Sequence, residues 1–257
     1  MPQTHHLPAR LKFGKECWVY HSAEPADSAL VFVHGFHGDA TGTWVQFQSL
    51  LQEEANCKSR DLLFFGYHSW RRPTASSASS LMNLLVALVD KPESIDGWPA
   101  RAKNTKYRRI LVVAHSLGAI VCRLAFLMAW KMRCDWTDKL RLVLYAPAHL
   151  GGRPLKLIPK RMKVGMEFLF PTLEELLEGS KTIRRLQSDT KEALKERGSK
   201  FLRAVKVVHG RRDNIISQPG MSFCADPPCD WIEADHFQVC KPSGVFLDPL
   251  TKLREIL

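Results

Sequence analysis

The pentapeptide Ala-His-Ser-Leu-Gly at 114–118 places a hydroxyl, that of Ser116, between two small residues. It lies inside the most apolar stretch of the chain, residues 110–130, which nevertheless carries His115, Ser116 and Arg123. A nucleophilic serine on a sharp strand-to-helix turn needs small residues two positions before and after it. Bulkier side chains there collide with the facing strand and helix. Ala114 and Gly118 supply that clearance. Ser116 then points out of the sheet end, beside the positive end of the following helix. The next residue, Leu117, offers its backbone N–H to a developing oxyanion. A serine between small residues at a strand end also fits a purely structural turn, so the surrounding elements have to decide.

Those elements read as alternating strands and helices. Residues 29–35, 60–67, 108–115 and 139–147 are short apolar runs ending in turn residues, the pattern of strands buried on both faces of a parallel sheet. Residues 206–210 and 229–235 extend the series, and helical patterns fall at 43–55 and 81–89. The serine-rich stretch 74–80 reads as a loop feeding a helix N-terminus. The expected fold class is α/β, with a mainly parallel central sheet and helices on both faces. One domain over 1–257 is expected, since no linker, repeat or low-complexity block divides the chain. As a membrane helix, 110–130 would carry His115 and Arg123 into lipid at a cost of several kcal/mol. A strand, a turn and a helix is the reading that remains.

In this setting the motif resembles the nucleophile elbow of the α/β-hydrolase superfamily. The usual pattern there is Gly-x-Ser-x-Gly, so Ala114 is a departure that still meets the steric requirement. Residues 30–44, Leu-Val-Phe-Val-His-Gly-Phe-His-Gly-Asp-Ala-Thr-Gly-Thr-Trp, look like the strand and loop that precede the first helix in that superfamily. The resemblance implies that Phe36 N–H is the second oxyanion donor, with Gly35 letting the backbone turn close to the site. It also implies the order serine, acid, histidine along the chain. Asp213 follows the strand 206–210 and His236 follows the last strand, where the fold needs them. Taken alone, Asp213 also fits an Asx-turn or helix cap and His236 a surface histidine. Asp235 adjoins His236, but neighbours in a loop seldom orient each other for a carboxylate-to-Nδ1 bond.

A finer resemblance, over roughly 28–245, is to DUF676-type lipases and the "serine active site containing" proteins. It rests on residues 34–44, 62–70, 146–152 and 234–242. It implies serine esterase or lipase chemistry on lipid-like carboxylic esters. Ser116 is then the nucleophile, His236 the base and Asp213 the orienting acid, with no cofactor required. A thioesterase or amidase with the same triad is the enzymatic rival. A catalytically idle fold that binds lipid or protein is the rival from another class.

A helical cap is expected as an insertion at about 152–200. Its first part carries Arg153, Lys156, Lys160, Arg161 and Lys163 among apolar residues, with no acidic residue between them. Docking on an anionic membrane surface and a solvated lid both fit that pattern. The formal net charge of +11 suits polyanionic partners, yet no nucleic-acid-binding signature accompanies it. His34, His37 and His115 lack the spacing of a metal-binding motif, so no metal is expected. The N-terminus holds no apolar run of signal-peptide length, and the seven scattered cysteines suit reduced thiols in the cytoplasm. A clip of one loop by Cys224 and Cys229 is the alternative to reduced thiols.

Overall fold

The computed structural model describes residues 5–102, 105–151, 171–177, 179–216, 223 and 226–257. Blocks of valine, leucine, isoleucine and phenylalanine between turn residues form its strands. These are β1 (Ala9–Leu11), β2 (Glu16–Tyr20), β3 (Ser28–Val33), β4 (Arg60–Gly66), β5 (Arg109–His115), β6 (Leu140–Tyr145), β7 (Ala204–Gly210) and β8 (Asp230–Ile232). They join in one sheet of order β1-β2-β4-β3-β5-β6-β7-β8. The run from β4 to β8 is parallel, while β1 and β2 are antiparallel additions at one edge. The strand order reverses at β3, which has β4 on one side and β5 on the other. Such a switch point opens a crevice at the carboxyl ends of the strands.

All of β3, and all of β5 except its first residue, is buried, so both faces of the sheet are covered. The helices are α1 (Phe47–Glu53), α2 (Thr74–Asp90), α3 (Leu117–Lys131), α4 (Pro171–Glu175), α5 (Lys181–Ala193) and α6 (Asp248–Arg254). α2 and α5 both pack against α3. α1 sets Phe47 against Phe32 and Tyr145, and the Tyr145 hydroxyl donates 2.6 Å to the Pro249 carbonyl in α6.

The apolar stretch 110–130 divides into β5, a turn and α3. Among the described residues no helix is long and apolar enough to cross a membrane. Arg123 is tolerated in α3 because its charge is answered inside the protein. Its guanidinium pairs with Asp226, donates 2.9 Å to the Leu202 carbonyl and lies 4.3 Å from the centre of the Phe223 ring.

Several boundaries differ from the sequence reading. Residues 74–80 are the first turns of α2, not a loop feeding it. α1 starts only at Phe47, because Val45 is held at a φ of +46° and interrupts the helical turn. α5 buries Ile183, Leu186, Thr190 and Ala193 on one face. The first part of the expected cap, with its five cations, lies outside the described residues. So does Cys224, and with it the suggested clip. Cys17, Cys57, Cys122, Cys134, Cys229 and Cys240 carry free thiols.

Candidate active site

Ser116 occupies the turn between β5 and α3 with φ 53° and ψ −118°. A non-glycine residue there carries strain of about 1–3 kcal/mol, which the surroundings must offset. Its N–H donates 3.0 Å to the Tyr145 carbonyl, and its own carbonyl accepts from Ala119 and Ala148 N–H at 3.1 Å. The expected small residues are forced by contact. A Cβ on Gly118 would lie 2.4 Å from the Val33 carbonyl oxygen and 2.5 Å from that of His34. One on Gly35 would lie 2.9 Å from Ser116 Cβ. Ala114 is fully buried on β5 beside Val33.

The structure brings the three side chains singled out in the sequence into one line. Ser116 Oγ lies 2.9 Å from His236 Nε2, and His236 Nδ1 lies 2.8 Å from Asp213 Oδ2. With Nδ1–H donating to the carboxylate, Nε2 is left as the acceptor for the serine proton. Two loops set this line. Arg211 and Arg212 N–H groups donate to the carbonyls of Ile232 and Ala234 at 2.9 and 3.0 Å, zipping the loop after β7 to the loop after β8. Gly210 permits the approach, for a Cβ there would meet the Ala234 carbonyl at 2.3 Å.

Asp213 satisfies both of its sequence readings at once. Oδ1 accepts the N–H groups of Ile215 and Ile216 at 2.9 and 3.2 Å, an Asx-type turn, while Oδ2 faces the histidine. Burial works against ionisation, but the hydrogen bonds from His236 and these amides outweigh it and hold the carboxyl below its usual range. Asp235 does not point at the imidazole. Its Oδ1 accepts from Phe237 and Gln238 N–H at 2.8 Å and shapes the turn that carries His236.

A cleft of about 250 Å³ opens above Ser116, with Gly35, Phe36, His37, His236, Phe237 and Lys241 in its walls. The N–H groups of Phe36 and Leu117 donate to no protein group among the described residues. The three nearby histidines have separate duties. His34 Nδ1–H donates 2.8 Å to the Gly35 carbonyl and its Nε2 accepts from Tyr67 N–H at 3.3 Å. His37 packs edge-on against Trp70, and His115 Nε2–H donates 2.8 Å to the His236 carbonyl. Among the described residues no group of three histidine, cysteine or carboxylate side chains is arranged to hold a metal ion.

Sequence reasoning missed the roles of His115 and Tyr67. The Tyr67 hydroxyl donates 2.8 Å to the His34 carbonyl and braces the loop that carries Phe36. It also missed a second buried Asp–His pair at the opposite end of the sheet, where His21 Nδ1 lies 3.0 Å from Asp61 Oδ2. Among the described residues no hydroxyl meets His21 Nε2, so there that pair has no nucleophile.

No protein-family model matches the chain, and no curated protein matches it. Solved structures do. The mature lipase BlEst2 of Bacillus licheniformis superposes with a TM-score of 0.56 at 13% identity, covering 88% of this chain and 91% of that one. The esterase PF2001 of Pyrococcus furiosus gives 0.56 at 14% identity, over 98% and 89% of the two chains. The peroxisomal α/β-hydrolase Lpx1 of Saccharomyces cerevisiae gives 0.51 at 13%, over 100% and 83%. The chain therefore has the α/β-hydrolase fold. At these identities the likeness speaks for the fold.

Proposed function

We propose that this chain is a serine hydrolase that cleaves carboxylic, lipid-like esters through an acyl-enzyme. The observation that carries the reading is the continuous line Ser116–His236–Asp213, with contacts of 2.9 and 2.8 Å, at the floor of an open cleft. In this reading Ser116 attacks the acyl carbonyl as His236 takes its proton. Asp213 fixes the imidazole tautomer and stabilises the imidazolium. Phe36 and Leu117 N–H bind the oxyanion, and their freedom from protein partners supports that role. His236 protonates the departing alcohol, then activates water to release the acid. No step calls for a cofactor.

That the structural neighbours include a lipase and an esterase supports ester hydrolysis over other uses of the fold. The finer likeness to DUF676-type lipases belongs to the same reading, as does a single hydrolase domain with a cap. The five cations between 153 and 163 keep contact with an anionic membrane surface within it. A thioesterase or amidase would use the same atoms on another bond.

The test is labelling by a fluorophosphonate probe together with turnover of ester, thioester and amide substrates. Wild type should label and hydrolyse esters fastest. Ser116→Ala, folded, should lose labelling and at least about three orders of magnitude in turnover. Undiminished turnover by a clean, folded Ser116→Ala variant rejects the assignment. Failure of wild type to label or turn over any substrate favours an idle binding fold.

A further inference from the structure

At the same end of the sheet as Ser116 lies another cavity, of about 270 Å³, whose walls include Lys15, Tyr67, His68, Arg72, Ser76 and Ser80. It is assembled from three separate elements. The turn between β1 and β2 brings Lys15, the loop after β4 brings His68 and Arg72, and the first turns of α2 bring the serines. The β1–β2 turn is fixed in place. Lys15 N–H donates 3.1 Å to the Gly66 carbonyl, and Gly14, at φ +63°, has that same oxygen 2.8 Å from where a Cβ would be.

Lys15 and Arg72 make no ion pair among the described residues. The carboxylate of Glu175 is turned instead to the N–H and hydroxyl of Thr74. Burial and then the nearby Arg72, Lys15 and Arg71 push the His68 imidazole below its usual range, as convergent positive charge does. Lysine and arginine beside serine hydroxyls, with no carboxylate among the described residues of the wall, are the donors that a phosphate-type anion takes, and the Ser80 hydroxyl would exchange its 3.2 Å bond to the Ser76 carbonyl for such an anion.

Hydrogen bonds link the wall of this cavity to the loop that carries Phe36. Tyr67, in its wall, bonds through its N–H and its hydroxyl to His34, which precedes the loop carrying Gly35 and Phe36. His37 N–H donates 3.0 Å to Ser69 Oγ, joining that loop to the one that holds His68 and Arg72. β4 is two strands from β5, so their ends are about 10 Å apart, a gap that long cationic side chains and a short spacer close together.

We propose that Lys15, His68, Arg72, Ser76 and Ser80 form an anion subsite that receives the phosphate group of an ester attacked at Ser116. The preferred substrates are then acyl esters whose alcohol carries a phosphate a few bonds from the scissile carbonyl. This rests on the hydrolase reading above.

The experiment compares monobutyrylglycerol with its phosphate, using the full chain and the double variant Lys15→Gln/Arg72→Gln. Both side chains are exposed, so the variant should fold. Wild type should favour the phosphorylated ester in kcat/KM by about ten-fold for each charge-assisted contact. The double variant should lose that preference through KM while its turnover of the neutral ester stays within about two-fold. Calorimetry on Ser116→Ala supplies a readout without turnover: glycerol 3-phosphate should bind saturably, and the two added substitutions should abolish it. Equal losses on both esters, or no binding of glycerol 3-phosphate while the neutral ester is hydrolysed, overturns the subsite alone. Inorganic phosphate binding as tightly as glycerol 3-phosphate, with no preference between the esters, assigns the cavity to a free anion and overturns the substrate. If glycerol 3-phosphate binds and no ester is turned over, the hydrolase reading falls and the substrate assignment falls with it.

Discussion

His115 donates its Nε2–H to the backbone carbonyl of His236 at 2.8 Å, tying together residues 121 positions apart. Burial drives the His115 pKa down to about 3, so the ring is neutral and the donor is permanent. The residue beside the candidate nucleophile therefore steadies the loop of the candidate base, and its ring also packs against the His236 imidazole with 4.9 Å between centroids. It is a positioning residue. His115→Phe should lower kcat up to about ten-fold, the worth of one good hydrogen bond, with KM little changed. His115→Gln, which retains a donor, should recover part of the loss. Steady-state kinetics beside thermal melts would check this, and equal kcat in both variants would remove the role.

The two carboxylates near His236 divide orientation from loop shape. Asp213 bonds the imidazole through Oδ2, whereas the Asp235 carboxylate accepts only from Phe237 and Gln238 N–H among the described residues. Asp213→Asn favours the wrong imidazole tautomer and should reduce turnover by about three to four orders of magnitude. Asp235→Asn keeps an acceptor for the two amides and should stay within about ten-fold of wild type. The paired kcat values decide between them, and the reverse ranking would move the acid to Asp235.

The parallel strands and the strand-turn-helix at Ser116 were legible because each is a local pattern. β3, β5 and β6 are unbroken apolar runs, and Ala114 and Gly118 flank Ser116 at fixed spacing. β1 and β2 were not legible. β1 is a short edge strand, and β2, between β1 and β4, alternates half-exposed and buried residues and pairs with a strand about forty to fifty residues further on. The short C-terminal α6 also went unread. Asp213 and His236 were singled out through chain order, which a superfamily resemblance supplies, and the structure brings them together. The hydrogen bonds of His115, Tyr67 and His34 were beyond reach, because they join strand ends that only the sheet order brings side by side.

Buried neutral histidines give the protein a sensitivity to acid. Burial lowers His34 and His209 to about 4 and His115 to about 3, from an ordinary value of 6.5. In the unfolded chain each takes up a proton near 6.5, while the folded protein resists until the pH is far lower. The unfolded state therefore binds more protons between those limits, so stability is full above about pH 6.5 and falls as the pH drops. The loss approaches about 1.4 kcal/mol per pH unit for each such histidine. Asp213, held below its ordinary value, adds a further loss at lower pH as its carboxylate is protonated. Urea midpoints should thus decline steeply from pH 7.5 to pH 5. His209→Asn removes one of the protons and should make the decline shallower, whatever it does to stability at neutral pH. A midpoint that stays flat across this range in wild type would mean that these rings are already protonated, or solvated, in the folded protein.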